Sequence, residues 1–292
     1  MMKFLMMISL VALLATTAFG QGTPTLRIVT EDPNLPSDLY YGDLKVKPLR
    51  LRPGTNQRIT IDDNDFMIQQ HYVDFLARMP EPAGFQGWMN RLSTCPPSGQ
   101  DSQGQFCDRI EVSSAFFRSP EYQGRRYWAY RFYSVAFHRL PKYLEFVPDA
   151  KRVSGFLTDA ELEAARAAFA NDFVARADFV AAYGSTTAPA AFVDALLSSA
   201  GVTLQAAARQ QLINDLTAGT KTRAQVLRAI TESTEVYDKY YNEAFVVNQY
   251  HGYLRRDPDI LYLNWIDTMN RTGDYRTMIN GFLNSVEYRD RF

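Results

Sequence analysis

Histidine is nearly absent. His71, His138 and His251 are the only three in 292 residues. No two of them stand at metal-ligand spacing, and there is no HExxH pair. The chain also lacks a G-x-S-x-G elbow, a phosphate-cradling P-loop and a G-x-G-x-x-G turn. The local signatures of the common hydrolase, nucleotide and dinucleotide chemistries are therefore missing. DDND at 62–65 has neither the glycine nor the distal glutamate of an EF-hand loop, and reads as capping for a following helix. His71 beside Asp74 reads as a surface hydrogen bond rather than a catalytic base. No metal and no cofactor is expected. Neither sign of charge is in excess: 31 Lys and Arg face 32 Asp and Glu, a net charge of −1. A dedicated nucleic-acid binder carries a basic surplus, so nucleic acid is not an expected partner.

Long apolar runs are confined to the first residues. MMKFLMMISLVALLATTAFGQG has one lysine near its start, an apolar run from Phe4 to Leu14, then small residues. Ala18-Phe19-Gly20 fits a signal-peptidase site, and the run is too short for a membrane span. Residues 1–20 are expected to be a signal peptide, and no cysteine follows the cut to carry a lipid anchor. No later stretch approaches roughly eighteen apolar residues, so no membrane span is expected in the mature chain. The expectation is an exported protein: extracellular, cell-surface or periplasmic. Cysteine fits that compartment. Only Cys95 and Cys107 occur, close together in STCPPSGQDSQGQFCDR, and such a pair in an exported chain reads as a local disulfide. Chain entropy puts its worth at about 3 kcal/mol.

What the chain does have is organisation. Residues 21–65 read as a short β-rich arm or appendage, with strands at LRIVT (26–30), LKVKPLRLRPG (44–54) and QRITIDDND (57–65). From Phe66 the period becomes helical. Ile68, Tyr72, Phe75, Leu76 and Met79 share one helix face. Ala129, Tyr133, Ala136, Phe137 and Leu140 occupy the same frame, and so do Val246, Tyr250, Tyr253 and Leu254. A second pattern recurs downstream: AFFRSPEY (115–122), FVARADF (173–179), RAITESTEVY (228–237) and GFLNSVEY (281–288). Self-similarity at about 50 residues points to a helical array or a duplicated bundle. The expected fold is mainly α, built from about four degenerate units at 66–124, 127–184, 191–241 and 244–292. The first two fall in a helical domain at 66–184 and the last two in one at 185–292. The third unit keeps its helix but lacks the Tyr, Arg and Pro of the others. LTDAELEAARAAFANDF (157–173) reads as a helix opened by a Thr158/Glu161 capping box. LQAAARQQLINDLTAG (204–219) reads as one closed at Gly219.

YVDFLARMPEPAGFQGWMNRL, followed by RIEVSSAFFRSPEY, resembles domain of unknown function family 4214, a helical module of exported bacterial proteins. QYHGYLRRDPD and FLNSVEYRDRF resemble it again near the C-terminus, so the likeness spans most of 66–292. The module is in turn similar to the linker domain of phycobilisome rod proteins, which are assembly factors. The resemblance implies an exported or surface protein that works by attachment or assembly, and it carries over no catalytic residue. Met79 and Glu81 depart from the family, which favours an acidic residue before the proline and Asp after it. RITIDDND separately resembles the closing strand of Calx-beta domains.

The motif Tyr-x5-Arg-x-Pro occurs as Tyr72/Arg78/Pro80, Tyr133/Arg139/Pro141 and Tyr250/Arg256/Pro258. Two readings are open. In the first, Tyr packs in the apolar stripe and Pro stops the helix. Arg then sits at the helix end and reaches an acid of the second pattern, Glu121, Asp178 or Glu287. In the second, the same Tyr and Arg residues clamp a sugar or an anionic polymer. The run YQGRRYWAYRFY (122–133) is then the richest patch. Candidate binding residues are Tyr72, Arg78, Arg125, Arg126, Trp128, Tyr133, Arg139, Tyr250 and Arg256. The expected function is a non-enzymatic exported module for cell-envelope or extracellular assembly, adhesion or polymer attachment. Its expected partner is an envelope protein or a surface polysaccharide. The alternative is a secreted polysaccharide hydrolase with a carboxylate pair in an inter-unit groove, since two acids need no local motif.

Overall fold

The computed structural model describes residues 26–29, 38–41, 44–45, 51–52, 54–55, 57–155 and 158–292. The expected signal peptide at 1–20 lies outside the described residues, as does much of 21–50. Three short strands, β1 (Leu26–Val29), β2 (Asp38–Tyr41) and β3 (Leu44–Lys45), pair antiparallel in that order. The strand expected at 57–65 is not one. Arg58 forms a lone bridge with Leu51, and the chain turns into a helix at Asn64.

The protein is mainly helical. In chain order the helices are α1 (Asn64–Leu76), α2 (Pro82–Ser93), α3 (Arg109–Arg118) and α4 (Pro120–Tyr122). Then come α5 (Trp128–Phe137), α6 (Tyr143–Arg152), α7 (Asp159–Val174), α8 (Ala177–Tyr183) and α9 (Pro189–Ala200). The last six are α10 (Ala206–Thr217), α11 (Arg223–Thr231), α12 (Thr234–Gln249), α13 (Tyr262–Thr272), α14 (Tyr275–Leu283) and α15 (Val286–Arg289). A π-helical turn at Gln123–Tyr127 joins α4 to α5, and another at Tyr250–Leu254 extends α12.

Local sequence explains many of the ends. Pro82 and Pro189 open α2 and α9, where a missing N–H is harmless. The Thr158/Glu161 box opens α7 as expected, and Thr222 with Gln225 does the same for α11. Ser119, Ser233 and Ser285 each cap a helix by accepting a backbone N–H three residues on. DDND behaves differently from expectation. Asp63 stands at the cap position of α1, but its carboxylate takes the Thr60 N–H at 2.7 Å and Arg52 instead.

One hydrophobic cluster runs from Ile61 to Tyr288 and draws on almost every helix. Its two ends meet: Phe75 of α1 lies edge-on to Tyr253 at 5.0 Å, and Phe117 of α3 sits 5.6 Å from the same ring. Gly252 permits this approach, because a β-carbon there would stand 2.9 Å from the Phe75 ring. Polar ties cross the same seam. Arg291 reaches Asp74 at 2.7 Å, and Arg276 reaches Asp108 at 2.6 Å. Cys95 and Cys107 form the expected disulfide, closing the loop between α2 and α3. Among the described residues, no helix is long and apolar enough to cross a membrane.

Candidate functional site

At all three occurrences the motif tyrosine is buried in its helix and the motif arginine folds back over it. The guanidinium lies 4.8 Å from the ring centroid for Arg78 on Tyr72, 5.3 Å for Arg139 on Tyr133 and 5.4 Å for Arg256 on Tyr250. Each arginine also donates to the carbonyl of the next residue, Met79, Leu140 or Asp257. Each then meets a carboxylate. Arg78 forks onto Glu121 with two bonds of 2.8 Å and also binds Glu81. Arg256 forks onto Glu287 at 2.6 and 3.1 Å and reaches Asp259 at 3.2 Å. Arg139 departs: its main partner is Glu145, and Asp178 stands 3.9 Å away. The tyrosine hydroxyls point to acids too, Tyr133 to Asp149 at 2.5 Å and Tyr250 to Asp259 at 3.1 Å.

The turn that makes this possible is not the proline. The helices end earlier, at Leu76, Phe137 and Leu254, and the next residue enters the left-handed region: Ala77 at φ 55°, His138 at 50° and Arg255 at 54°. Met79 therefore lies outside its helix and is half exposed, contrary to its expected place on the apolar face.

Electrostatics agree with pairing. The Glu121 fork raises Arg78 above the ordinary arginine value. Burial pulls Glu81 up, yet its bond to Arg78 overcomes that and holds it below the usual carboxylate range. Hydrogen bonding to Glu145 raises Arg139, and hydrogen bonding to Glu287 raises Arg256.

The run at 122–133 is not an exposed patch. Trp128 is buried and donates its indole N–H to Glu232 at 2.7 Å. Arg126 is 4% exposed and stacks between Tyr122 and Phe146. Arg125 donates to the Gly155 carbonyl and stands 3.5 Å from Glu121. Arg131 is buried against the Thr231 carbonyl, and Tyr130 donates to Glu243, whose carboxyl burial pushes up. Tyr72, Tyr133 and Tyr250 are likewise 1–3% exposed. The expected clamp therefore has no surface rings at Trp128 or at these tyrosines. Burial leaves them no ring face to offer a polymer.

Arg78 does line an open groove. A recess of about 490 Å³ is walled by Tyr72, Trp88 and Phe116 and floored by Arg78, Glu81 and Glu121. An adjoining recess of about 420 Å³ shares those three charged residues and adds Arg125, Thr158 and Glu161. The acids here are already engaged, Glu81 and Glu121 by Arg78 and Glu161 by the N-terminus of α7.

His71 and Asp74 differ most from expectation. His71 is fully buried, with Nε2 at 2.8 Å from the Ser113 hydroxyl and Nδ1 at 3.5 Å from the Tyr288 hydroxyl. Ser113 in turn meets Tyr253. Burial lowers His71 to about 3, against the pull of Asp74, so the ring is neutral at ordinary pH. Asp74 is sealed between Arg255 at 2.8 Å and Arg291 at 2.7 Å. This serine–histidine pair has no open face for a substrate and reads as a network that locks α1 to α3 and to the C-terminal turn. The only sequence signal for it was that His71 falls one residue before Tyr72 on an apolar face.

Among the described residues, no group of three or more His, Cys, Asp or Glu is placed to hold a metal ion. No family model matches this chain, and no curated protein or solved structure matches it.

Proposed function

We propose that this protein is an exported, non-enzymatic helical module for assembly or attachment at the cell envelope or in extracellular material. In this reading, the chain belongs with domain of unknown function family 4214, a signal peptide directs its export, and a β-rich arm precedes four degenerate helical units. What supports the units is recurrence of detail. Three Tyr–Arg–acid staples each span a left-handed turn, and Gly201, at φ 58°, ends α9 at the corresponding point of the third unit. Ser119, Ser233 and Ser285 then open the second half of three units in the same way.

The observation that carries the attachment reading is an exposed apolar edge. Ile260 and Val286 are each 74% exposed, and Leu261 and Leu263 are about half exposed. Ile260, Leu261 and Leu263 are near neighbours in sequence, and Arg256, which binds both Asp259 and Glu287, brings the segment that carries Val286 near theirs. Clustered exposed aliphatics of this kind mark protein-contact surfaces. The expected occupant is an apolar face of a co-exported envelope protein. The hydrolase alternative has less support, because Glu81 and Glu121, the acids of the open groove, both bind Arg78.

The test is co-sedimentation of residues 21–292 with isolated cell envelope and, separately, with extracellular polysaccharide from the same source. Pelleting with envelope that survives added salt fits the apolar edge. Pelleting with polysaccharide that salt abolishes would move the contact to the arginines. Absence of pelleting with either would refute the attachment reading.

A further inference from the structure

A second cavity lies away from the groove. It encloses about 290 Å³ between α1, the two π-helical turns and α6, at the small end of the roughly 300–1,000 Å³ typical of ligand sites. Arg126, His251, Tyr143, Lys151, Arg255 and Asp74 line it, and Val73 and Val147 supply apolar wall.

Its backbone is unusual. Both π-helical turns among the described residues deliver a side chain to it, Arg126 from the first and His251 from the second. Among the described residues, two of the three left-handed non-glycine residues, Ala77 and Arg255, also line it. Inserted π turns cost helix regularity and concentrate where side chains must be aimed.

Its polar groups are left waiting. His251 is 2% exposed, and neither ring nitrogen has a hydrogen-bond partner. Nε of Arg126, itself 4% exposed, has none either. Such orphans are rare in protein interiors and costly to leave unpaired. Burial, reinforced by the Arg126 charge, holds His251 near 3, so the imidazole is neutral and offers one N–H donor and one acceptor nitrogen. Asp74 is held by Arg255 and Arg291, so it leaves the Arg126 guanidinium to an incoming acid.

We propose that this cavity binds a small hydroxy-carboxylate, of the size of one uronic acid or one hydroxybenzoate. The carboxylate answers the Arg126 guanidinium, whose Nε is unpartnered. A hydroxyl, both donor and acceptor, answers the neutral imidazole of His251. The valine walls suit a compact ring and give no advantage to a bare ion. The inference is independent of the attachment surface at Ile260 and Val286.

The three histidines make the test direct. Protein labelled with ¹⁵N at histidine is titrated with sodium D-glucuronate and with 4-hydroxybenzoate, using glucose and inorganic phosphate as controls. One of the two carboxylates is expected to move the His251 ring nitrogens saturably while His138 stays fixed. Arg126→Gln is expected to weaken that binding about tenfold or more, as loss of a charge-assisted bond should. If Arg126→Gln does not fold, Arg126→Lys, which keeps the charge but loses the Nε donor, replaces it, with a several-fold loss expected. The proposal is overturned if neither carboxylate moves His251, or if phosphate or glucose moves it as strongly. It is also overturned if affinity is unchanged in the folded variant.

Discussion

One arginine type does two grades of work in this chain, and burial decides which. The Arg78 side chain is 10% exposed and forks onto Glu121, whereas that of Arg256 is 37% exposed and faces a Glu287 of similar exposure. Removing Arg78 strands a partly buried carboxylate, so Arg78→Ala is expected to cost about 2–3 kcal/mol of unfolding free energy. Arg256→Ala is expected to cost less than about 1 kcal/mol, because water and salt screen that pair. Chemical denaturation of both variants checks the ranking, and an equal loss would contradict it. The histidines give a pH prediction. His71 and His251 sit near 3 in the folded chain and near the ordinary 6.5 when unfolded. Between those values the unfolded state binds more protons, so stability is complete above about 6.5 and falls as pH drops. Two such groups give a slope approaching about 1.4 kcal/mol per pH unit each. Melting curves between pH 7 and 5, above most carboxylate titration, should show it, and His71→Asn with His251→Phe should flatten it. The arginine partners Glu121 and Glu287 were legible in the sequence, because the acid recurs at a fixed place in the second pattern. Glu145 as the partner of Arg139 was not, since nothing in local spacing ranks it above Asp178. Nor was the burial of His71 and Asp74, which depends on Arg291 arriving from the far end of the chain.

Helix ends carry the next lesson. α7 and α10 were readable because Thr158, Glu161 and Gly219 have strong positional preferences. The ends of α1, α5 and the second π turn were misplaced, because proline was taken as the stop. The chain stops at Ala77, His138 and Arg255 instead, and of these only histidine is enriched in the left-handed region, too weakly to mark a helix end. Such a conformation costs a non-glycine residue about 1–2 kcal/mol. Ala77 makes no side-chain bond that glycine would forfeit, so Ala77→Gly is expected to raise stability by about 0.5–1 kcal/mol. A fall in the midpoint of denaturation would show that the αL turn is not the strained element. The π turns were equally invisible in sequence, because one extra residue in a turn leaves the apolar period almost unchanged.

At the scale of the whole molecule, the mainly helical class was plain from the period that starts at Phe66. The division at residues 184 and 185 leaves less of a trace. The cluster that includes Phe75 and Phe117 also includes Tyr253, Met278 and Tyr288, so residues from both ends share one interior. Unfolding is expected to be a single transition, with Trp88, Trp128 and Trp265 fluorescence coinciding with far-UV circular dichroism. Two separated transitions would show that the halves fold alone. Sequence patterning could assign residues to an interior but could not show that the first and last helices share it. The central claim is that the repeated Tyr–Arg–acid motif holds helices together while attachment occurs at the apolar edge. It is tested most directly by envelope co-sedimentation of Arg256→Ala and Ile260→Glu beside the unaltered chain, with melting recorded for each. The account predicts that Arg256→Ala melts slightly lower and still pellets, whereas Ile260→Glu melts unchanged and stays in solution. Pelleting lost with Arg256→Ala at unchanged melting, and retained with Ile260→Glu, would contradict it.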